Sequence, residues 1–168
     1  MKRHKGGKMA KERNDQAIPP ELDRIMAILG GCATMGQEIT NGLDVHKMIE
    51  RGFPKLALRT LVENVHFLQN EDSLQKAIGI SKRTYSRKTR PTAKSAFLTR
   101  EQSGQIWKLA KVLVKAANVF GSQNRAEEWM EEPAYGLDLQ RPIDLVSTAA
   151  GIEMVEAYLD QIEHGIFV

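Results

Sequence analysis

Residues 74–90 have the sequence LQKAIGISKRTYSRKTR, which predicts a short helix, a tight turn and a second helix. Gly79 can adopt the positive φ that a sharp helix exit requires. Ser81 is a good N-cap for the second helix, on which Tyr85 is the one large apolar side chain and should point inward. A short helix with one apolar anchor and a basic outer face is typical of a helix-turn-helix, whose second helix enters the major groove of DNA. An ordinary helical hairpin with a solvated basic face would show the same pattern.

The second helix supplies the candidate DNA contacts, because basic and hydroxyl side chains bind phosphates and base edges. From Ser81 to Arg100 there are seven basic residues and no acidic one. We expect the contacts to come from Ser81, Lys82, Arg83, Thr84, Ser86, Arg87, Lys88 and Arg90.

The remaining pattern predicts an all-α protein, since no segment alternates like a strand over more than a few residues. Asp44 is the expected cap of a short helix, and Pro54 begins a strongly apolar helix whose buried stripe includes Leu56. Asn70 should cap the first helix of the pair, Thr99 and Gln102 have capping-box spacing, and Gly121 should end the long helix that follows. Thr148 is the expected cap of the last helix.

The single Cys32 of these 168 residues excludes an internal disulfide and is most simply a small core residue, which fits a reducing compartment. No apolar run reaches the ~18 residues of a membrane span. The basic N-terminus lacks the apolar segment of a signal peptide, so we expect a cytoplasmic protein with no membrane partner. Residues 1–20 are basic and almost devoid of apolar side chains, which predicts a disordered basic tail.

Charge is divided unequally along the chain. Residues 1–121 hold 22 Lys+Arg and 11 Asp+Glu, whereas residues 122–168 hold 2 and 10. This division favours two partners of opposite charge over two solvated surfaces. We therefore predict a helix-turn-helix domain over residues 21–121 and a small helical domain over residues 122–168, with the boundary at Gly121.

Nothing in the sequence predicts a catalytic site, a cofactor or a metal centre. The four histidines lack metal-ligand spacing, and there is neither a phosphate-binding loop motif nor a nucleophile elbow. We therefore expect a protein that is not an enzyme.

Two features of the acidic segment are each open to two interpretations. Glu127, Glu128, Glu131 and Glu132 crowd one short helix, either as a solvated face or as a surface for a cationic partner. The apolar tip Ile166-Phe167-Val168 either folds back on the last helix or enters a pocket of a partner.

The order and spacing of these residues resemble a known family. The C-terminal part is similar to the toxin-binding domain of the Xre/MbcA/ParS antitoxins, and the part before it is similar to their Xre-like helix-turn-helix. The C-terminal resemblance rests on Ala126-x-x-Trp129, Leu137, Pro142-x-x-Leu145, Thr148-x-x-Gly151, Val155, Leu159, Ile162 and His164-Gly165. The upstream resemblance rests on Gly52-Phe53-Pro54, Leu74, Ile78-Gly79-Ile80-Ser81, Arg83-Thr84 and Arg87.

The resemblance implies an antitoxin with two partners. One is a RES-domain toxin, an enzyme that depletes cellular NAD and whose active-site pocket the antitoxin covers. The other is the promoter DNA of its own operon, which it represses. A homodimer is expected, since two half-sites on DNA mirror a two-fold protein. We expect the toxin contacts to come from Glu127, Glu131, Arg141, His164, Gly165, Ile166, Phe167 and Val168.

The chain departs from the family between residues 133 and 141. The family usually has Pro-Asn and a glycine pair there, whereas this sequence reads PAYGLDLQR. The resemblance therefore does not define the contacts of Asp138 to Arg141. Two alternatives to the antitoxin remain at this point: a helix-turn-helix regulator with a different protein partner, and a helical interaction module that does not bind DNA.

Overall fold

The computed structural model describes residues 20–90 and 96–165, and these form ten α-helices and two short 3-10 helices. The α-helices are α1 (Pro20–Ile28), α2 (Gly31–Met35), α3 (Gly42–Arg51), α4 (Lys55–Asn64), α5 (Glu71–Ile78), α6 (Lys82–Thr89), α7 (Arg100–Phe120), α8 (Gln123–Glu131), α9 (Pro142–Leu145) and α10 (Ala149–Glu163). The 3-10 helices are His66–Gln69 and Tyr135–Leu137. The predicted all-α fold class is confirmed. Within the described residues, β-type pairing is limited to an isolated bridge between Pro54 and Phe97.

The predicted helix caps are present where local side chains satisfy free backbone N–H groups. The side chain of Asn70 accepts from two backbone N–H groups of α5, and Ser81 Oγ accepts from the N–H of Thr84 at 3.2 Å. Thr99 and Gln102 form a reciprocal capping box at the start of α7, and Thr148 caps α10. Because each of these bonds joins residues two or three positions apart, the sequence pattern was sufficient to predict them.

Helix α7 is the centre of the packing. Helices α1, α3 and α5 pack against it, as do α8 and α10 from the C-terminal part. One continuous cluster of buried apolar side chains runs across both parts of the chain. Gly121 ends α7 with a φ of 83°, as predicted. The domain boundary at that residue stays a prediction, and residues on its two sides share one core.

Three expectations about single residues are wrong. Leu56 is 50% exposed, because the buried stripe of α4 is formed by Ala57, Leu58, Leu61 and Val62 and leaves Leu56 on another face. Cys32 is exposed, because α2 is a five-residue helix of which only Met35 is buried.

The third correction concerns the cap of α3. Asn41 is the N-cap, and its side-chain oxygen accepts from the backbone N–H groups of Leu43 and Asp44. The Asp44 carboxylate instead accepts from the backbone N–H and hydroxyl of Thr40, at 3.1 and 2.9 Å, and these bonds lower the pKa of Asp44. The acid therefore stabilises the turn before α3 rather than the helix end itself.

The predicted basic tail lies outside the described residues except for Pro20, which begins α1. None of the helices in the described ranges is long and apolar enough to cross a membrane.

Candidate functional site

Helices α5 and α6 form the helix-turn-helix pair. Gly79 has a φ of 77° and its N–H donates to the carbonyl of Gln75 at 2.9 Å, which ends α5. Ile80 is buried in the corner, and Ser81 then caps α6. Leu74, Ala77 and Ile78 bury the apolar side of α5, so the turn is held by the core behind it.

Helix α6 has no fully buried residue and therefore presents most of its surface to solvent. Tyr85 was expected to point inward; it packs against the core but is only half-buried. Burial raises the pKa of its phenol, and the nearby Glu63 carboxylate adds to this. Half of the residues of α6 are exposed and therefore free to contact a partner.

The structure exposes five of the eight candidate DNA contacts: Lys82, Arg83, Ser86, Arg87 and Arg90. The first four recur at helical spacing and share one face of α6. The other three candidates, Ser81, Thr84 and Lys88, are half-buried. The side chains of Ser81 and Thr84 bond to each other at 3.2 Å. Burial and the nearby cations Lys55 and Arg87 lower the pKa of Lys88.

Glu127, a predicted toxin contact, is buried between α8 and the 3-10 helix at His66. Its carboxylate accepts from the backbone N–H of His66 and from Gln123 Nε2, both at 2.7 Å. The imidazole Nδ1 of His66 lies 3.3 Å from the same carboxylate. A direct partner contact requires an exposed side chain, and the buried carboxylate of Glu127 does not offer one.

Glu131 lies one turn further along α8 and is exposed, yet it also links the two parts of the chain. Its carboxylate accepts from the buried Ser73 hydroxyl of α5 at 3.0 Å.

Arg141, another predicted toxin contact, holds α9 against α5 through a chain of charges. Its guanidinium donates twice to Asp144, at 2.8 and 2.9 Å, and Asp144 also lies 3.0 Å from Lys76 Nζ. Lys76 in turn lies 2.8 Å from Asp72. These hydrogen bonds lower the pKa of Asp144 and raise the pKa values of Arg141 and Lys76.

Gln105 is a link that the sequence analysis missed. Its Nε2 donates to the carbonyls of Ala77 and Val146, both at 2.7 Å, and so joins α7 to the ends of α5 and α9. No sequence signal marks it, because both acceptors are backbone atoms distant in the chain.

The end of α10 carries two further predicted toxin contacts, His164 and Gly165, and both are exposed. His164 Nδ1 lies 2.7 Å from the carbonyl of Asp160, and Gly165 has a φ of 66°. The predicted contacts Ile166, Phe167 and Val168 lie outside the described residues.

This geometry first defines a class: an all-α protein that joins a helix-turn-helix with a basic exposed helix to an acidic helical module. The family comparisons then identify both parts. The antitoxin Xre-like helix-turn-helix domain matches residues 44–111, and the antitoxin Xre/MbcA/ParS C-terminal toxin-binding domain matches residues 115–165. Together the matches cover more than two thirds of the chain, which belongs to the Xre-type antitoxins of toxin–antitoxin systems. Both descriptions are those of a regulatory protein rather than an enzyme. No curated protein matches the chain.

Proposed function

We propose that this antitoxin neutralises a RES-domain, NAD-depleting toxin by direct contact and represses its own operon by binding promoter DNA. One observation carries the proposal. The part of the chain that presents the exposed basic helix α6 shares one continuous core with a module that matches a toxin-binding domain. DNA and an NAD-depleting enzyme both occur in the cytoplasm, where we propose that the protein acts. We further propose a homodimer, whose two copies of α6 read two half-sites.

The DNA contacts in this proposal are centred on Arg83 and Arg87, with Lys82, Ser86 and Arg90 beside them. All five are exposed, and the arginine fork matches the acceptors of guanine in the major groove. Lys88, Ser81 and Thr84 support the helix rather than reach the bases. Lysine and arginine contacts to phosphates should make binding fall steeply with added salt.

A mobility shift with the DNA upstream of the operon tests this half. Arg83→Ala and Arg87→Ala should each weaken binding by about 1–3 kcal/mol if the side chain reads a base. The matched control is Arg125→Ala, which removes an exposed arginine from the acidic part of the chain and should leave binding unchanged. Equal affinity of all three variants and the wild type would contradict the groove assignment of α6.

The toxin contacts in this proposal are centred on the C-terminal end: His164, Gly165 and the tip Ile166, Phe167 and Val168. The exposed Glu131 of α8 and the partly exposed Arg141 at the start of α9, two helices that pack against each other, are proposed as peripheral contacts. The excess of carboxylates after Gly121 suits a cationic pocket.

Deletion of residues 165–168 tests this half in cells that express the toxin. The truncated protein should fail to restore growth and NAD levels but should bind promoter DNA like the full chain. Full rescue by the truncated protein would show that the tip is not required. A RES-type reading frame beside this one is the expected source of the toxin, and its absence would favour a different partner.

A further inference from the structure

The loop between α8 and α9, residues 134–140, is closed by its own backbone. The carbonyl of Ala134 accepts from the N–H groups of Leu137 and Leu139, both at 3.0 Å, and its N–H donates to the carbonyl of Gln140 at 3.1 Å. Gln140 N–H also donates to the Leu137 carbonyl at 2.9 Å. We call this segment the 134–140 loop. These bonds give it one defined conformation.

That conformation is strained at two successive residues. Asp138 and Leu139 have φ values of 52° and 59°, and in the described part of the chain they are the non-glycine residues with positive φ. A leucine in the left-handed region is disfavoured sterically, so such a conformation persists only where its surroundings impose it. Strain of this kind is concentrated at functional sites, which makes the loop a candidate for one.

The loop packs against the core through Leu137 and against the side chain of Tyr158. Leu137 is fully buried, and Gly136 lies so close to the ring of Tyr158 that any Cβ would collide with it. Tyr158 in turn packs against Trp129, with ring centroids 6.4 Å apart and ring planes tilted by 31°, and Trp129 packs against Phe120 at 5.2 Å and 38°. These aromatic contacts join α7, α8 and α10 and support the loop.

The same loop exposes two large apolar side chains beside the polar Asp138 and Gln140. Tyr135 is 88% exposed and Leu139 is 59% exposed. Met154, which is half-exposed, lies one turn before Tyr158 on the same side of α10. A rigid loop that exposes a tyrosine and a leucine loses little entropy on binding, and buried tyrosines are frequent hot spots of interfaces.

We propose that Tyr135 and Leu139 form a second toxin-binding anchor, which inserts into an apolar depression of the toxin and contributes to the choice of toxin. This inference rests on the proposed function. The toxin is the occupant favoured by the structure, because the loop lies wholly within residues 115–165, the part that matches a toxin-binding domain. The loop is also continuous with Arg141, a proposed contact at the start of α9.

The test measures, by calorimetry, the Kd of the full-length protein for a purified RES-domain protein, which we expect the reading frame beside this one to encode. Tyr135→Ala and Leu139→Ala should each raise the Kd by at least about tenfold, as expected for interface anchors. The matched control is Leu43→Ala, because Leu43 is 60% exposed, close to the 59% of Leu139, and lies outside the loop on α3. Its Kd should equal that of the wild type.

Leu139→Gly separates binding from folding. Glycine adopts positive φ freely, so this variant should melt at or above the temperature of the wild type while its Kd for the toxin rises. A purely structural role for Leu139 predicts no change in Kd and would overturn the proposal.

Three other outcomes are decisive. Wild-type Kd values in both alanine variants would overturn the second anchor and leave the proposed function intact. Failure of the wild-type protein to bind the RES-domain protein would overturn both. Sedimentation of Tyr135→Ala gives the third outcome. If this variant no longer self-associates but keeps the wild-type Kd for the toxin, the loop is a contact between copies of this chain and the proposal is overturned.

Discussion

Replacing Glu127 with alanine should destabilise the protein more than any other single carboxylate change on α8. The wild-type carboxylate accepts from the His66 N–H and from Gln123 Nε2, both at 2.7 Å, in a site where it is almost fully buried. Alanine would leave the His66 N–H without its acceptor, and an unsatisfied or lost bond to a charged group costs about 1–3 kcal/mol. For a chain of 168 residues, that loss lowers the Tm by about 2–12 °C.

Thermal denaturation followed by circular dichroism measures this effect, with Glu128→Ala as the control. Glu128 is the next residue on the same helix and is exposed, so its removal should change stability by no more than about 0.5 kcal/mol. Glu127→Gln should fall between the two, because an amide offers one acceptor oxygen where the carboxylate offers two.

Two results would refute the reasoning. Equal Tm values for Glu127→Ala and Glu128→Ala would show that the buried bonds contribute nothing to stability. A higher toxin Kd for Glu127→Ala, measured well below its Tm, would return Glu127 to the toxin interface from which its burial removes it. Faster amide exchange at His66 in the alanine variant is the supporting observation.

Four further predictions concern other parts of the chain. Gly151→Ala should destabilise the protein by about 1–3 kcal/mol, because its Cβ would collide with the Leu145 carbonyl. Gly104 lies inside α7, and a Cβ there would come no closer than 3.9 Å to its nearest neighbour, Ile49 of α3. Gly104→Ala should therefore stabilise the protein by about 0.5–1 kcal/mol. Urea denaturation compares the two variants, and changes of the same sign would contradict this packing. The hydrogen bond from Arg141 lowers the pKa of Asp144 in the folded state. The contribution of Asp144 to the free energy of unfolding should therefore be complete at pH values above its unfolded pKa of about 3.9, and it should be lost as the pH falls through the lower folded pKa. Urea denaturation of Asp144→Asn and wild type should therefore differ at pH 7 and converge in acid, and a constant difference would count against the Arg141 pairing. Cys32 is exposed, so a thiol reagent such as DTNB should modify the native protein without denaturant, whereas a thiol that reacts only after unfolding would indicate burial.

The features that the sequence predicted correctly depend on residues close to one another in the chain. The Asn70, Ser81, Thr99 and Thr148 caps and the turn at Gly79 each involve bonds that span four residues or fewer. Helical periodicity likewise located α5 and α6 and the exposed basic face of α6. The family resemblance, which rests on ordered short motifs, is confirmed by the matches over residues 44–111 and 115–165.

By itself, then, the sequence determined most of the helices, four of their caps and the class of protein. Only the tertiary structure decided which charged side chains are available to a partner. The sequence predicted Glu127 on an exposed acidic surface, either solvated or bound to a partner. It is buried instead, and the His66 N–H that it accepts from is 61 positions away, so no local pattern indicates the contact. The left-handed Leu139 and the exposed Tyr135 were equally invisible, because the ring of Tyr158 and the buried Leu137 that support their loop come together only when α10 packs on the core. Burial and strain depend on long-range packing, which local sequence patterns do not contain.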